Sequence, residues 1–371
     1  MTRTKQVFVA ACPDYDKARV EACVRQLFRQ CGGVEPFLAK GRRVTIKPNL
    51  LMAREPQAAT TTHPSLVEAV ARLFVEAGAS VTIADSPGGP YNEGAMARVY
   101  RLSGMEEAAR AAGARLNRDY SSRKRRYKGE VQRQFDVIAP IAETDVVIDI
   151  AKMKTHSLTY FTGAVKNNYG VVPGLTKASY HQQNPGRTEF AKLLVDLCQC
   201  VAPDFSIIDG VEGMDGKGPS GGRVRRGGVL FASKNPFAAD LAAMHHCGMD
   251  PERSPVHQYG ARLGLVPGEY AGLEMLGDRV APLAEPFVPA IRLKRNYPFI
   301  NYLPARLRPA LQRLLLPYPQ ISPRCIGCGA CARACPGKAL EVVEGRARLA
   351  RDKCIQCYCC HELCPVKAID L

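Results

Sequence analysis

The C-terminal stretch constrains this chain more than any other. Cys325, Cys328, Cys331 and Cys335-Pro336 are followed by Cys354, Cys357, Cys360 and Cys364-Pro365. The spacing C-x2-C-x2-C-x3-C-P therefore occurs twice. It is the spacing with which eight thiolates hold two [4Fe–4S] clusters. Each tight triplet supplies three ligands to one cluster, and the cysteine before the proline reaches across to the other. Cys325, Cys328, Cys331 and Cys364 are thus expected around the first cluster. Cys354, Cys357, Cys360 and Cys335 are expected around the second. Structural zinc would use four ligands in two pairs rather than a double triplet. Cys359 falls inside the second triplet and leaves Cys360 in register, so it reads as a spare thiol near the cluster. A ligand swap from Cys360 to Cys359 is the minor alternative.

This tail is a bacterial-type ferredoxin domain in pattern, and it uses about fifty of the 371 residues. The remainder is long enough for one large α/β domain or two small ones. Of the 15 cysteines, Cys12, Cys23, Cys31, Cys198, Cys200, Cys247 and Cys359 lie outside the ligand pattern. An odd remainder without pairing order implies reduced thiols and a cytoplasmic setting with little oxygen. The opening MTRTKQVFVAAC has too short an apolar part for a signal peptide, and no run of 18 apolar residues occurs. The net charge is +16, of which the tail holds only about +3. A basic balance suits nucleic acid, a membrane surface or an anionic small molecule. The strongest run, Arg123-Lys124-Arg125-Arg126-Tyr127-Lys128, reads as a solvated loop. No nucleic-acid-binding motif accompanies it.

Residues 6–12, 43–51, 80–84, 144–151, 205–209 and 229–233 read as apolar, β-branched strands. Residues 16–31, 63–77, 94–112, 188–200 and 236–247 carry helical spacing. Strands alternating with helices predict an α/β fold with a mainly parallel sheet covered by helices, plus a small C-terminal α+β ferredoxin-type domain. The expected division is an α/β domain over 1–285, a proline-rich connector over 286–320 and the ferredoxin domain over 321–371. Leu303, Leu307, Leu311, Leu314 and Leu315 alternate with Arg306, Arg308 and Arg313, which predicts a short basic amphipathic helix in the connector. Packing between the domains is its ordinary role, and contact with a membrane surface is the alternative.

Five stretches carry candidate chemistry. Lys47-Pro48-Asn49 follows the second strand with a point charge and an amide on a stiff turn. In Thr60-Thr61-Thr62-His63-Pro64, Thr62 is placed to cap a helix and His63 to stand at its N-terminus as a neutral proton donor or metal ligand. Asp85-Ser86-Pro87-Gly88-Gly89 ends a strand but lacks the dinucleotide glycine spacing. Lys152, Lys154, Thr155 and His156 precede Lys166 and Asn167 within a glycine-rich, apolar-flanked stretch. If the strand continues, Lys152 and Lys154 share a face. Crowded lysines neutralise an anion and depress one another's pKa, which frees one as a general acid or base. The fifth stretch, residues 209–222 from Asp209, reads as a glycine-rich loop for a cation or a phosphate, or as a lid.

Together, Lys47-Pro48-Asn49, Thr62-His63-Pro64, Asp85-Ser86-Pro87-Gly88, Lys152-x-Lys154-Thr155-His156, Gly163-Ala164-Val165-Lys166-Asn167, Pro173-Gly174 and Asp209-Gly210 with Gly213-Met214 and Gly218-Pro219 resemble the domain of unknown function 362. The resemblance covers nearly the whole chain. Members of that family often carry a C-terminal two-cluster ferredoxin. The resemblance implies redox character and names no substrate.

The expectation is an iron–sulfur oxidoreductase that passes low-potential electrons to an anionic substrate or cofactor in the α/β domain. Lys154, His156, Lys166 and His63 are the catalytic candidates. Lys47, Asn49, Thr62, Asp85, Ser86, Lys152, Thr155, Asn167 and Asp209 are the binding candidates. A redox partner protein is expected, and a further cofactor in the large domain is left open. The alternatives are a non-catalytic electron-transfer or assembly subunit, a nucleic-acid-associated cluster protein, and a lyase or isomerase with structural clusters.

Overall fold

Runs of valine, isoleucine and alanine, punctuated by glycine, proline and aspartate, set the strands. The computed structural model of the chain describes residues 4–291 and 316–371. β1 (Gln6–Ala11), β2 (Arg43–Pro48), β3 (Ser80–Ile83) and β4 (Arg115–Leu116) enter the main sheet. β5 (Ser122–Arg126) and β6 (Gln134–Ile138) form a separate antiparallel hairpin. β7 (Val146–His156), β8 (Tyr160–Thr162), β9 (Phe205–Asp215), β10 (Arg223–Ser233) and β11 (Glu274–Gly277) complete the nine-stranded sheet. Its order is β11-β1-β10-β9-β7-β2-β3-β4, with β8 paired to β7. The run β9-β7-β2-β3-β4 is parallel. β10 is antiparallel to both β1 and β9.

Each face of the sheet carries its own core. Helices Lys17–Gln30 and Pro64–Glu76 cover one face, where Phe28, Phe37, Phe74 and Phe205 meet ring to ring. Helices Arg187–Val201 and Pro236–His246 cover the other. Burying each such ring or aliphatic side chain contributes roughly 1.5–3 kcal/mol. This is the mainly parallel α/β architecture that the alternating pattern predicts.

Several local expectations are corrected. The helix expected over residues 94–112 is two, Glu93–Leu102 and Met105–Ala112, broken at Gly104 with its positive φ of 75°. The basic run around Arg123 is not a loop but β5, paired residue by residue with β6. Residues 210–215 are not a loop or lid but the outer half of β9, paired with β10. Its glycine allows close backbone approach: a Cβ on Gly210 would stand 2.9 Å from the Val229 carbonyl oxygen. The amphipathic helix expected over residues 303–315 lies outside the described residues.

The C-terminal unit is built from two short strand pairs. β12 (Gln320–Ile321) pairs with β15 (Ile369–Asp370), and β13 (Leu340–Val343) with β14 (Arg346–Leu349). Its small core contains Cys331, Cys360 and Cys364 beside Leu340, Ala347, Ala368 and Ile369. Tyr358, 1% exposed, belongs instead to the core of the large domain. That ring anchors the second cysteine triplet against the α/β unit. Lys217 with Asp370, at 2.6 Å, and Lys367 with Ser220 Oγ, at 2.6 Å, tie the same two units together.

Candidate functional site

β7 runs past Ala151 to His156 because β8 turns back and pairs with its end. The strand alternation puts Lys152, Lys154 and His156 on one face. The three are buried. The pairing of β7 to β9 shifts register between Lys152 and Lys154. Their side chains accordingly serve two different clusters.

The first cluster surrounds a cavity of about 80 Å³. Its walls include Asn49, Asp85, Ser86, Lys154, His156, Lys166, Asn167, Tyr169, Lys177 and His181 from the α/β unit, with Ala334, Cys359, Glu362 and Leu363 from the C-terminal unit. Lys154 Nζ donates to Asn49 Oδ1 at 2.7 Å and to the Thr60 carbonyl at 2.6 Å. Asn49 Nδ2 donates to Asn167 Oδ1 at 2.9 Å, and Asn167 Nδ2 to Asp149 Oδ1 at 2.7 Å. One line of hydrogen bonds thus fixes Lys154 from the centre of β7. Lys177 Nζ is held by Ser86 and by the Pro87 and Val172 carbonyls. Lys47 pairs with Asp85 at 2.8 Å behind the wall. Gly170 makes room for that pair, since a Cβ there would meet Asp85 Oδ1 at 2.0 Å.

Lys166 differs from the other lysines. It lies over the rings of Tyr169, at 5.3 Å, and Phe190, at 5.9 Å. Among the described residues its ammonium has no hydrogen-bonded or ion-paired partner, although it lines the cavity. Burial lowers the pKa of Lys166, as it does for Lys154, where the charges of Lys152 and Lys166 add to the effect. Burial brings Lys177 down to about 7 and His181 to about 3. Burial also raises Asp149 to about 7, against the pull of Lys47 and Asn167. The cavity is dense in nitrogen donors.

His156 has a defined tautomer. The backbone N–H groups of Leu158 and Thr159 donate to its Nδ1 at 3.0 and 3.3 Å. The proton of the neutral ring therefore sits on Nε2, which lies 2.9 Å from Glu362 Oε1. Burial lowers the His156 pKa, although Glu362 opposes this. The Glu362 carboxyl is raised by burial, but His156 and Lys166 outweigh that and hold it below the ordinary range.

The second cluster stands apart from the cavity. Lys152 Nζ contacts Asp209 Oδ2 at 3.0 Å and Tyr15 Oη at 2.6 Å, and both charged side chains are fully buried. Tyr15 donates to Asp209 Oδ1 at 2.7 Å and stacks on His63 with ring centroids 3.6 Å apart. His63, rather than Thr62, caps the helix Pro64–Glu76, its Nδ1 accepting from Ser65 N. Thr62 Oγ1 instead donates to the Ile150 carbonyl at 2.7 Å and accepts from Asn49 N at 2.8 Å. Thr155 Oγ1 bonds the Gly216 carbonyl at 3.0 Å. Lys152, Asp209, Thr62, Thr155 and His63 are therefore held in structural bonds outside the cavity. Sequence proximity did not separate them from Lys154 and His156.

Burial pushes the His63 pKa down to about 4, against the attraction of Asp209. Between that value and the ordinary 6.5 the unfolded chain binds the extra proton. His63 should therefore cost stability as pH falls from 6.5 toward 4. His63→Asn keeps a capping acceptor and should flatten that part of the profile, measured as urea midpoints from pH 4 to 7. An unchanged slope would assign the acid sensitivity elsewhere.

The C-terminal cysteines form two adjoining groups. Cys331 stands near Cys325 and Cys328, and Cys360 near Cys357, Cys354 and Cys335. Backbone N–H groups of Ala347, Ala339 and Ala368 donate to the sulfurs of Cys325, Cys335 and Cys364 at 3.4, 3.2 and 3.1 Å. Such bonds favour thiolates and tune the potential of a bound cluster. Among the described residues no three His, Cys, Asp or Glu side chains converge on a single-ion site. A four-iron cube is a larger guest, with ligands standing around a body rather than a point. The donor set and its hydrogen bonds fit that guest. Ala334 and Cys359, next in sequence to Cys335 and Cys360, face the cavity.

Sequence reasoning missed Asp149, Lys177, His181, Tyr169 and Glu362 as wall or relay residues. An aspartate inside an otherwise apolar strand was a readable signal for Asp149. Glu362 carried none, because its partner His156 is distant in sequence. No helix among the described residues is long and apolar enough to cross a membrane.

Residues 44–245 match the domain of unknown function DUF362, and residues 324–368 match a 4Fe-4S dicluster domain. A thylakoid-associated protein of Synechocystis sp. is 32% identical over 270 residues, 71% of this chain and 81% of that one. Two solved structures show distant likeness. A Thermotoga maritima protein has 10% identity and a TM-score of 0.35, covering 54% of this chain and 51% of its own. The lactate racemase apoprotein from Thermoanaerobacterium thermosaccharolyticum has 13% identity and a TM-score of 0.39, covering 63% and 55%. The chain thus spans about half the length of these two solved structures. The family match spans more than half of the chain and contains most of the cavity wall, so the chain belongs to the DUF362 family and carries a C-terminal 4Fe-4S dicluster domain.

Proposed function

We propose that this protein is an iron–sulfur oxidoreductase whose substrate is a small anion held in the cavity between the α/β unit and the second cysteine triplet. One observation carries the reading. Lysines 154, 166 and 177 line the same space as Cys359 and Ala334, the neighbours of Cys360 and Cys335. A guest there meets three lysines on one side, and the Glu362 carboxylate and the second cysteine set on the other.

Cys325, Cys328, Cys331 and Cys364 would hold one [4Fe–4S] cluster, and Cys354, Cys357, Cys360 and Cys335 the other. When bound, the clusters supply one-electron transfer at low potential. The chain's own residues do the rest. Lys166, not ion-paired although Glu362 acts on it from the far wall, supplies the charge that draws the anion in. Asn49, fixed through Asn167 and Asp149, orients Lys154. Lys154 is the group positioned to give a proton to the reduced guest, and His156, with its Nε2–H directed at Glu362, fixes that carboxylate. Leu363 and Pro219 add apolar wall beside the charged groups, which lowers the local dielectric and strengthens each electrostatic contact. Reduced thiols fit a cytoplasmic setting.

The ligand assignment has a direct check. Cys360→Ala should lower the anaerobic iron content from about eight to about four atoms per chain. Cys359→Ala should leave it unchanged. The reverse pattern would move the ligand to Cys359. The functional reading is tested by mixing the dithionite-reduced protein with a panel of small oxidised anions and following reoxidation. Acceleration by one class of anion, lost in Lys166→Met, is the expected result.

A further inference from the structure

The two cysteine sets differ in surroundings. In the second set no cysteine is exposed, and Ala334 and Cys359, beside Cys335 and Cys360, line the cavity; the first set touches it only through Leu363, beside the buried Cys364. In the first set Cys328 is exposed. Beside it Ile326 is 63% exposed, more than any other large apolar residue among those described. Val342 is 40% exposed, and its Cγ2 lies 3.8 Å from the Cβ position of Gly329. The backbone of Gly327 packs on Gly345, so the cysteine loop lies against the β13–β14 turn. Ile326, Cys328 and Val342 thus form one exposed patch around the first cysteine set, and none of the three lines the cavity.

The rim of this patch is basic. Arg333 and Arg346 are exposed and form no ion pair among the described residues. Arg324 reaches Asp370 only at 3.9 Å. Arg348 is offset by Glu344 at 2.7 Å. An apolar centre with a net positive rim complements an acidic surface, and such rims govern the association rate.

We infer that Ile326, Val342, Arg333 and Arg346 form the docking surface for an acidic one-electron carrier protein, which delivers electrons through the first cysteine set. One electron leaves the reduced carrier and enters this chain, and no bond or proton is exchanged. The inference rests on the proposed electron transfer to the cavity and adds its point of entry. It also gives the two sets distinct duties, entry at Cys328 and delivery beside Cys359.

The test uses the full, iron-loaded protein and needs no cavity guest. Anaerobic stopped flow follows its reduction by a reduced acidic ferredoxin or flavodoxin, and calorimetry follows binding of the oxidised carrier. Arg333→Glu with Arg346→Glu should slow reduction at least tenfold at low salt, weaken binding and remove the fall in rate with added salt. Ile326→Glu should act likewise. Reduction by dithionite should not change, which excludes damage to the clusters. Lys124→Glu on the separate β5–β6 hairpin should match the wild type. Equal rates in wild type and the arginine variants would overturn the inference, as would an equal loss in Lys124→Glu or no reduction of the wild type by the carriers. Each of those outcomes leaves reoxidation by a cavity anion to be judged independently.

Discussion

Replacing Lys166 with methionine should lower the affinity for a small anion roughly 10- to 100-fold, the size of a lost charge-assisted hydrogen bond of about 1.5–3 kcal/mol. The same change should leave the fold as stable as before, or more so. Both expectations come from one fact: among the described residues the ammonium of Lys166 lies over the faces of Tyr169 and Phe190 and has no hydrogen bond or ion pair. No native acceptor is orphaned by its removal. A desolvated cation that is opposed by Glu362 but not ion-paired with it leaves as well. The opposite behaviour is expected of Lys154, whose two bonds to Asn49 and Thr60 would be broken. Calorimetric titration with the accelerating anion and urea denaturation of both variants make the comparison. Weaker binding together with a large loss of stability in Lys166→Met would show that the residue holds structure instead.

Asp209→Ala should be the most damaging single change in the large domain, at about 3–5 kcal/mol, because it strands a buried cation. Asp209 accepts from Lys152, Tyr15 and the backbone N–H of His63. Its removal leaves Lys152, 0% exposed, with no counter-charge. The double change Lys152→Met with Asp209→Leu should recover most of the loss, since paired removal of a buried ion pair is often close to neutral. Chemical denaturation of the wild type, the matching single variants Lys152→Met and Asp209→Leu, and the double variant closes the cycle. Additive losses would mean that the pair is not coupled. The double variant should also retain anion binding, because neither residue borders the cavity.

The parts of this molecule written locally were legible. The double cysteine triplet is a spacing rule, and alternating strands and helices follow from apolar periodicity. Long-range geometry was not legible. Lys152 and Lys154 are two residues apart on one strand, yet a register shift sends one to Asp209 and the other to Asn49. Composition could not reveal that divergence. Glycines 210 and 213 looked like a loop because glycine usually marks one. Here they permit close packing, against Val229 and Met153 respectively, within a strand pair. Glu362 joins His156 across two structural units, and no pattern in either segment announces the other.

The most direct measurement is the reoxidation rate of the dithionite-reduced, iron-loaded protein with small oxidised anions, wild type against Lys166→Met. The account predicts that one anion class restores the oxidised spectrum of the wild type quickly. It predicts that the variant, equally iron-loaded and equally reducible, responds at least tenfold more slowly at the same subsaturating anion concentration. Equal rates in the two proteins, or no acceleration by any anion, would contradict electron delivery to a guest in this cavity.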